Sequence, residues 1–282
     1  MKPAHRANAL VAAGLLALPA ACGTAGTPAG PATEPTSAAA LAPERPREAP
    51  TDPLTGDLTI FAAASLQVAF DELAGIFAAQ HQGVTVAPVV YDGSSTLVTQ
   101  LLEGASADVL ATADERTMAG VVEGGLVEGE PDLFATNTLR IAVAPDNPHV
   151  IATLADVAAL LADGGRVAVC APEVPCGAAT ATALEAAGVS LAGASEEQNV
   201  SAVLTKVTAG EVDAGLVYAT DVARSDGAVL GLDFPESATA VNSYPVAVLA
   251  GAPAPDLARA FVGLVLSEEG AAVLASHGFG AP

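Results

Sequence analysis

An α/β fold in which helices cover largely parallel strands is what this sequence predicts, on three observations. From about Asp57 to Pro282, short β-rich runs alternate with segments of helical periodicity, the pattern of repeated βα units. The chain is 51% hydrophobic but only 4% aromatic, with no Trp, so its core is built from Ala, Val and Leu. That composition suits helices packed closely on a parallel sheet better than an all-β sandwich. Finally, 282 residues are enough for a substantial core, in one large or two moderate domains.

The elements follow in order. Leu58 to Ala62 is a β-rich run, and Ser65 to Gln82 is a helix with Leu66, Phe70, Leu73, Ile76 and Phe77 at helical spacing. A second strand, Val84 to Val90, leads through Gly93 into a helix from Ser94 to Glu103. A third, Asp108 to Thr112, leads into a short helix starting near Asp114. Leu139 to Ala144 reads as a strand, Leu154 to Ala162 as a helix, Arg166 to Cys170 as a strand and Ala178 to Ala187 as an Ala-rich helix. A helix from Val200, strands at Ala214 to Tyr218 and Tyr244 to Leu249, and a helix from Pro255 to Leu264 continue the alternation, Pro255 suiting a first helical position. Glu268 to His277 closes the chain as one more short helix, and no repeat of fixed period emerges.

The N-terminus reads as an address. Lys2 and Arg6 precede an apolar stretch from about Ala9 to Leu18, the layout of an export signal and too short for a membrane span of roughly 20 residues. It ends in Leu18-Pro19-Ala20-Ala21-Cys22, which resembles the lipobox of bacterial lipoproteins. That resemblance implies that residues 1–22 are a lipoprotein signal peptide and that Cys22 is diacylated and becomes the mature N-terminus; a plain cleaved signal is the alternative. The protein is then expected on the extracytoplasmic face of the cell membrane, held by a lipid anchor. Residues 23–56, rich in Gly, Thr, Ala and scattered Pro, read as a disordered tether.

Charge excludes some partners. Ten Lys and Arg against 32 Asp and Glu give a formal net charge of −22, so the chain has no basic surface for nucleic acid and no attraction to anionic lipid. A small anion is not excluded, because surface charge is screened over about 10 Å and a pocket works through local donors.

Such donors are written into the helix starts. Ser65, Ser94 with Ser95, Cys176 with Gly177, and Asn199 with Val200 all fall at predicted helix N-termini, where unpaired N–H groups and the helix dipole bind anions without a cationic side chain. Taken singly, each Ser or Asn is an ordinary N-cap. An anion site requires several of these starts to converge, which periodicity does not show.

An ordered set of segments carries a resemblance. Ile60-Phe61-Ala62-Ala63-Ala64-Ser65-Leu66 with Ala69-Phe70 comes first, then Gly93-Ser94-Ser95-Thr96-Leu97 with Gln100-Leu101, Ala107-Asp108-Val109 and Ala113-Asp114. Pro172-Glu173-Val174-Pro175-Cys176-Gly177, Asn199-Val200, Gly215-Leu216-Val217-Tyr218 with Asp221, and Tyr244-Pro245-Val246-Ala247-Val248 complete it. In order and spacing the set resembles the periplasmic molybdate-binding proteins over nearly all of residues 57–282.

The resemblance implies a type II periplasmic-binding-protein fold: two α/β lobes joined by two crossing segments, with ligand captured in the cleft between them. Lobe one is then expected over 57–138 and, on return, 246–282, and lobe two over 139–245, with hinges near Asn137 to Leu139 and Ser243 to Pro245. It further implies that Ser65 and Ser94 donate from lobe one, Cys176 and Val200 offer backbone N–H groups from lobe two, and Tyr218 offers its phenolic O–H, around molybdate or tungstate. No cofactor is implied. The implied partners are an ABC transporter permease with its ATPase, and the protein is expected to act as a monomer.

Cys176 departs from the small Ala more typical of the family. Cys170 lies six positions earlier, so two readings stand: a disulfide that stiffens the Ala171 to Pro175 loop, favoured by an oxidising compartment, or two free buried thiols.

Rival functions find less support. A serine hydrolase using Ser65 or Ser94 would need an elbow and a triad, yet no G-x-S-x-G is present, and His81, His149 and His277 stand in no triad-like motif. Those histidines are far apart and the paired cysteines lack a second pair, so a zinc site is equally unsupported. An amino-acid binder would need an Arg or Asp clamp that the motif positions lack. Sulfate, tetrahedral and doubly charged but smaller, is the nearest rival ligand.

Overall fold

The computed structural model describes residues 53–282. The expected signal peptide, the expected acylation at Cys22 and the expected tether up to residue 52 fall outside the described residues. Among those described, no helix is long and apolar enough to cross a membrane.

The chain opens with strand β1 (Thr55–Leu58), β2 (Ile60–Ala63), a 3-10 turn at Ala64–Leu66 and helix α1 (Gln67–Gln80). Strands β3 (Gly83–Val86) and β4 (Val90–Asp92), helix α2 (Ser94–Leu102), β5 (Val109–Ala111), α3 (Glu115–Glu123) and β6 (Asp132–Asn137) follow. Next come β7 (Leu139–Val143), α4 (Leu154–Ala162), β8 (Val167–Cys170), α5 (Pro175–Ala187), β9 (Ser195–Glu197), α6 (Val200–Thr208), β10 (Ala214–Tyr218), α7 (Ala219–Arg224) and β11 (Leu230–Leu232). The chain ends with β12 (Asn242–Val248), α8 (Pro255–Val265) and α9 (Glu268–Ser276).

Two five-stranded sheets organise these elements, in the orders β4-β2-β5-β12-β6 and β11-β7-β10-β8-β9. Each is parallel where βα units succeed one another, as in β4 on β2 and β8 on β10. The strands beside the crossings enter antiparallel: β12 against β5 and β6, and β7 against β10 and β11. The chain leaves the first sheet after Asn137 and joins the second at Leu139, then returns before Asn242. The boundary expected at residue 245 therefore falls inside β12, because Asn242 to Val246 already ladder with β6.

Several elements differ from the sequence reading. The single strand expected from Val84 to Val90 is two: β3 pairs with β1, and β4 pairs with β2. Pro88 between them has no N–H to donate to a ladder. Strand β6 carries no helical or clean alternating pattern, and β9 is Ser-Glu-Glu, which no hydrophobic signal marks; each exists because a neighbouring strand pairs with its backbone. Helix α5 starts at Pro175, three residues earlier than its Ala-rich stretch, with the proline at a position whose N–H has no intrahelical use.

Each sheet buries its own core. In the first lobe Phe70, Phe77 and Phe261 stack edge-on at 5.5–5.9 Å, tying α1 to α8 over β2 and β12. In the second, Leu139, Ile141, Leu216, Val203 and Val157 seal α4 and α6 onto β7 and β10. Every such fully buried large apolar side chain contributes about 1.5–3 kcal/mol by leaving water, so each lobe holds a core of its own.

Candidate functional site

The carboxyl ends of strands from both sheets face one another across a small cavity. It is lined by Ala63, Ala64, Ser65, Asp92, Gly93, Ser94, Ala113, Val174, Pro175, Cys176, Asn199, Val200 and Tyr218. All five residues expected to hold a ligand, Ser65, Ser94, Cys176, Val200 and Tyr218, are thus brought together. Each comes from the end of a strand: Ser65 follows β2, Ser94 follows β4, Cys176 follows β8, Val200 follows β9, and Tyr218 ends β10. This is where open α/β sheets place their ligands.

The wall consists of neutral donors. The N-cap of α2 is Gly93 and that of α5 is Val174; neither supplies a side-chain cap, so first-turn N–H groups are left unpaired within their helices. In α6 the Asn199 side chain accepts from the Ala202 N–H at 3.0 Å, which leaves Val200 N–H uncapped. Ser94 Oγ accepts the Ala113 N–H at 3.0 Å. Tyr218 Oη is buried with no hydrogen-bond partner among the described residues, a costly arrangement for a phenol that faces no acceptor. Burial also pushes the Tyr218 phenol well above its ordinary pKa, so the group stays a donor. No Lys, Arg or His lines the cavity, and Asp92 is its sole acid.

Asp92 takes up the role of a strut. Its Oδ1 accepts from Gly93 N–H at 2.7 Å and from Asn199 Nδ2 at 3.0 Å, spanning the two lobes. Ser95 Oγ donates to the Glu173 carbonyl at 2.6 Å and an Arg116 nitrogen to the same oxygen at 3.0 Å. These bonds join lobe to lobe, so the cleft is closed. No local pattern in the sequence marks Asp92, Arg116 or Glu173 as site residues, since their partners lie 57 to 107 positions away.

Cys170 and Cys176 form a disulfide, which ties the end of β8 to the first turn of α5. It braces the loop that carries the Cys176 N–H to the cavity. Among the described residues no cluster of three or more His, Cys, Asp or Glu is arranged to hold a metal ion.

The cavity measures about 20 Å³, little above the roughly 10–15 Å³ that one water needs, so the closed site suits a compact guest and not an extended organic solute. Two α/β lobes, joined by two crossings and shut over a small donor-lined cavity, define a solute-binding protein. Residues 58–280 match the profile of the bacterial extracellular solute-binding proteins. The molybdate-binding protein ModA of Mycobacterium tuberculosis is 44% identical over 239 residues, which span 84% of this chain and 90% of that protein. Its Escherichia coli counterpart is 33% identical over 207 residues, 70% of this chain and 78% of that one. Among solved structures, the periplasmic molybdate-binding protein of Azotobacter vinelandii superposes with a TM-score of 0.68 at 20% identity, covering 80% of this chain and 99% of the other. The sulfate-binding protein SubI of M. tuberculosis does so with a TM-score of 0.67 at 19% identity, covering 80% and 86%. The fold is that of the type II periplasmic binding proteins. The chain belongs to the family of periplasmic molybdate-binding proteins, within the bacterial extracellular solute-binding proteins.

Proposed function

We propose that this protein captures molybdate, and tungstate with it, outside the cytoplasm and hands it to the permease and ATPase of an ABC transporter. The observation that carries this reading is one cavity on which Ser65, Ser94, Cys176, Val200 and Tyr218 converge from five strand ends without a cation among them. A dianion with four oxygens is all acceptor. Two serine hydroxyls, two helix-start N–H groups and an otherwise unpartnered phenol meet it with donors alone, and the helix dipoles spread its charge. An arginine would hold many anions; a rigid neutral cage selects by size and by the absence of protons on the guest.

The capture cycle begins with ligand on the first lobe, at Ser65 and Ser94. The second lobe then closes about crossings beside Asn137 and Asn242, bringing Cys176, Val200 and Tyr218 to the remaining oxygens, and the closed form is what the permease recognises. The same reading places a diacyl anchor on Cys22, a tether over residues 23–56, and a monomer on the extracytoplasmic face of the membrane.

Calorimetric titration with molybdate, tungstate and sulfate tests it. Molybdate and tungstate are expected to bind comparably, and sulfate, the smaller tetrahedral dianion, far more weakly if the rigid cage selects by size. Ser65→Ala, Ser94→Ala and Tyr218→Phe are each expected to cost about 1–3 kcal/mol of molybdate binding, the worth of one hydrogen bond to a charged group. Unchanged affinity in all three variants would remove the site, and turnover of a generic ester that Ser65→Ala abolishes would replace binding with catalysis.

A further inference from the structure

Ser65 Oγ and Tyr244 Oη lie 2.9 Å apart, both buried, and that distance alone leaves open which of them donates. Asn137 decides it. Its Oδ1 accepts the Thr138 N–H at 3.0 Å, which fixes the orientation of the amide. The Nδ2 group then faces Thr220 Oγ1 at 2.8 Å and Tyr244 Oη at 3.3 Å, one hydrogen for each. An amide nitrogen only donates, so the Tyr244 oxygen accepts from Asn137, and its single hydrogen is left to offer to Ser65 Oγ, 2.9 Å away. Ser65 Oγ, already accepting, keeps its own hydrogen for the cavity it lines. Ser94 arrives at the same state by a different route, because a backbone N–H, that of Ala113, occupies its oxygen.

We propose that Tyr244, oriented by Asn137, is a positioning residue that acts through Ser65, setting that hydroxyl as a hydrogen donor toward the bound oxyanion. Neither Tyr244 nor Asn137 lines the cavity. Both stand at the crossings between lobes, Asn137 as the last residue of β6 and Tyr244 near the start of β12. The donor chain Asn137 to Tyr244 to Ser65 therefore runs from the hinge to the site. Burial holds the Tyr244 phenol well above its ordinary pKa, so the group keeps its hydrogen. Without the chain the Ser65 hydroxyl rotates freely, and it accepts a hydrogen from a guest as readily as it offers one.

This inference rests on the reading of the cavity as an oxyanion site, and a double-mutant cycle separates the two. Affinities for molybdate and for hydrogen phosphate are measured by calorimetry in the wild type, Tyr244→Phe, Ser65→Ala and the double variant, with the melting temperature of each unliganded protein as a check on folding. Tyr244→Phe is expected to weaken molybdate binding about tenfold in the wild-type background and less than about twofold when Ser65 is already Ala, because its effect passes through that hydroxyl. The preference for molybdate over hydrogen phosphate should shrink in Tyr244→Phe. A loss of equal size in both backgrounds, with the preference unchanged, would show a merely structural role and overturn the proposal. Asn137→Ala provides the second arm should Tyr244→Phe fold poorly: a smaller loss is expected, again absent in the Ser65→Ala background, and additivity there would also overturn it. A wild type that fails to bind molybdate would defeat the functional reading, and this inference with it.

Discussion

Gly93→Ala is expected to leave the protein folded while weakening molybdate binding at least about a hundredfold, roughly 3 kcal/mol. Gly93 caps α2 with ordinary φ of −57°, so the alanine fits the backbone of the first lobe. The obstacle lies across the cleft: a Cβ at this position would sit 2.2 Å from the Gln198 carbonyl oxygen and 3.3 Å from its carbon. Gln198 belongs to the turn between β9 and α6 in the second lobe, and its carbonyl is backbone, so no side-chain rotation relieves the clash. The lobes must stop short of full closure. A ligand seated on Ser65 and Ser94 then loses full contact with the Cys176 and Val200 amides and the Tyr218 phenol, each worth about 1.5–3 kcal/mol when bonded to a charged group. Calorimetry reads the affinity, and the melting temperature of the unliganded protein, expected within a degree or two of the wild type, shows that closure and not folding has failed. Affinity within about threefold of the wild type would mean that the lobes do not close as far as described.

Gly177→Ala is expected to act on the fold itself, lowering stability by about 3 kcal/mol and the melting temperature by roughly 6–12 °C. A Cβ on Gly177 would meet the Ala171 carbonyl oxygen at 1.8 Å, its carbon at 2.4 Å and the Cys170 oxygen at 2.9 Å. The first turn of α5 presses directly on the loop that leaves β8, and the disulfide between Cys170 and Cys176 clamps the same loop. Neither side can retreat, so strain spreads into the cage beside the Cys176 amide, and molybdate affinity should fall together with stability. Thermal unfolding with and without molybdate separates this variant from Gly93→Ala: here the unliganded melting temperature drops. An unliganded protein as stable as the wild type would contradict the packing described.

Much of the site was legible in the sequence as an ordered set of segments, and the five residues expected to hold the ligand do line one cavity. Each sits where local signals already point: a Ser, an Asn or the Cys176-Gly177 pair at a helix start, a Tyr at the end of an apolar run. What lies across the cleft was not legible. Asp92 and Asn199 are 107 positions apart, Ser65 and Tyr244 are 179 apart, and no residue near either partner announces the other. The backbone-driven strands β6 and β9 were missed for a related reason, since pairing with a neighbour creates them without any apolar pattern of their own.

By itself the sequence determined what short-range physics sets: the alternation of strands and helices, the apolar faces that must be buried, the helix starts with unpaired N–H groups, and the absence of a basic surface. These depend on backbone periods of 2 and 3.6 residues and on side-chain chemistry, and both are present in any ten-residue window. Only the tertiary structure decided which helix starts face one another, how near Gly93 comes to Gln198, and that Ser65 meets Tyr244. Those properties arise from contacts between residues distant along the chain, whose geometry exists only once both sheets are paired and the lobes are closed.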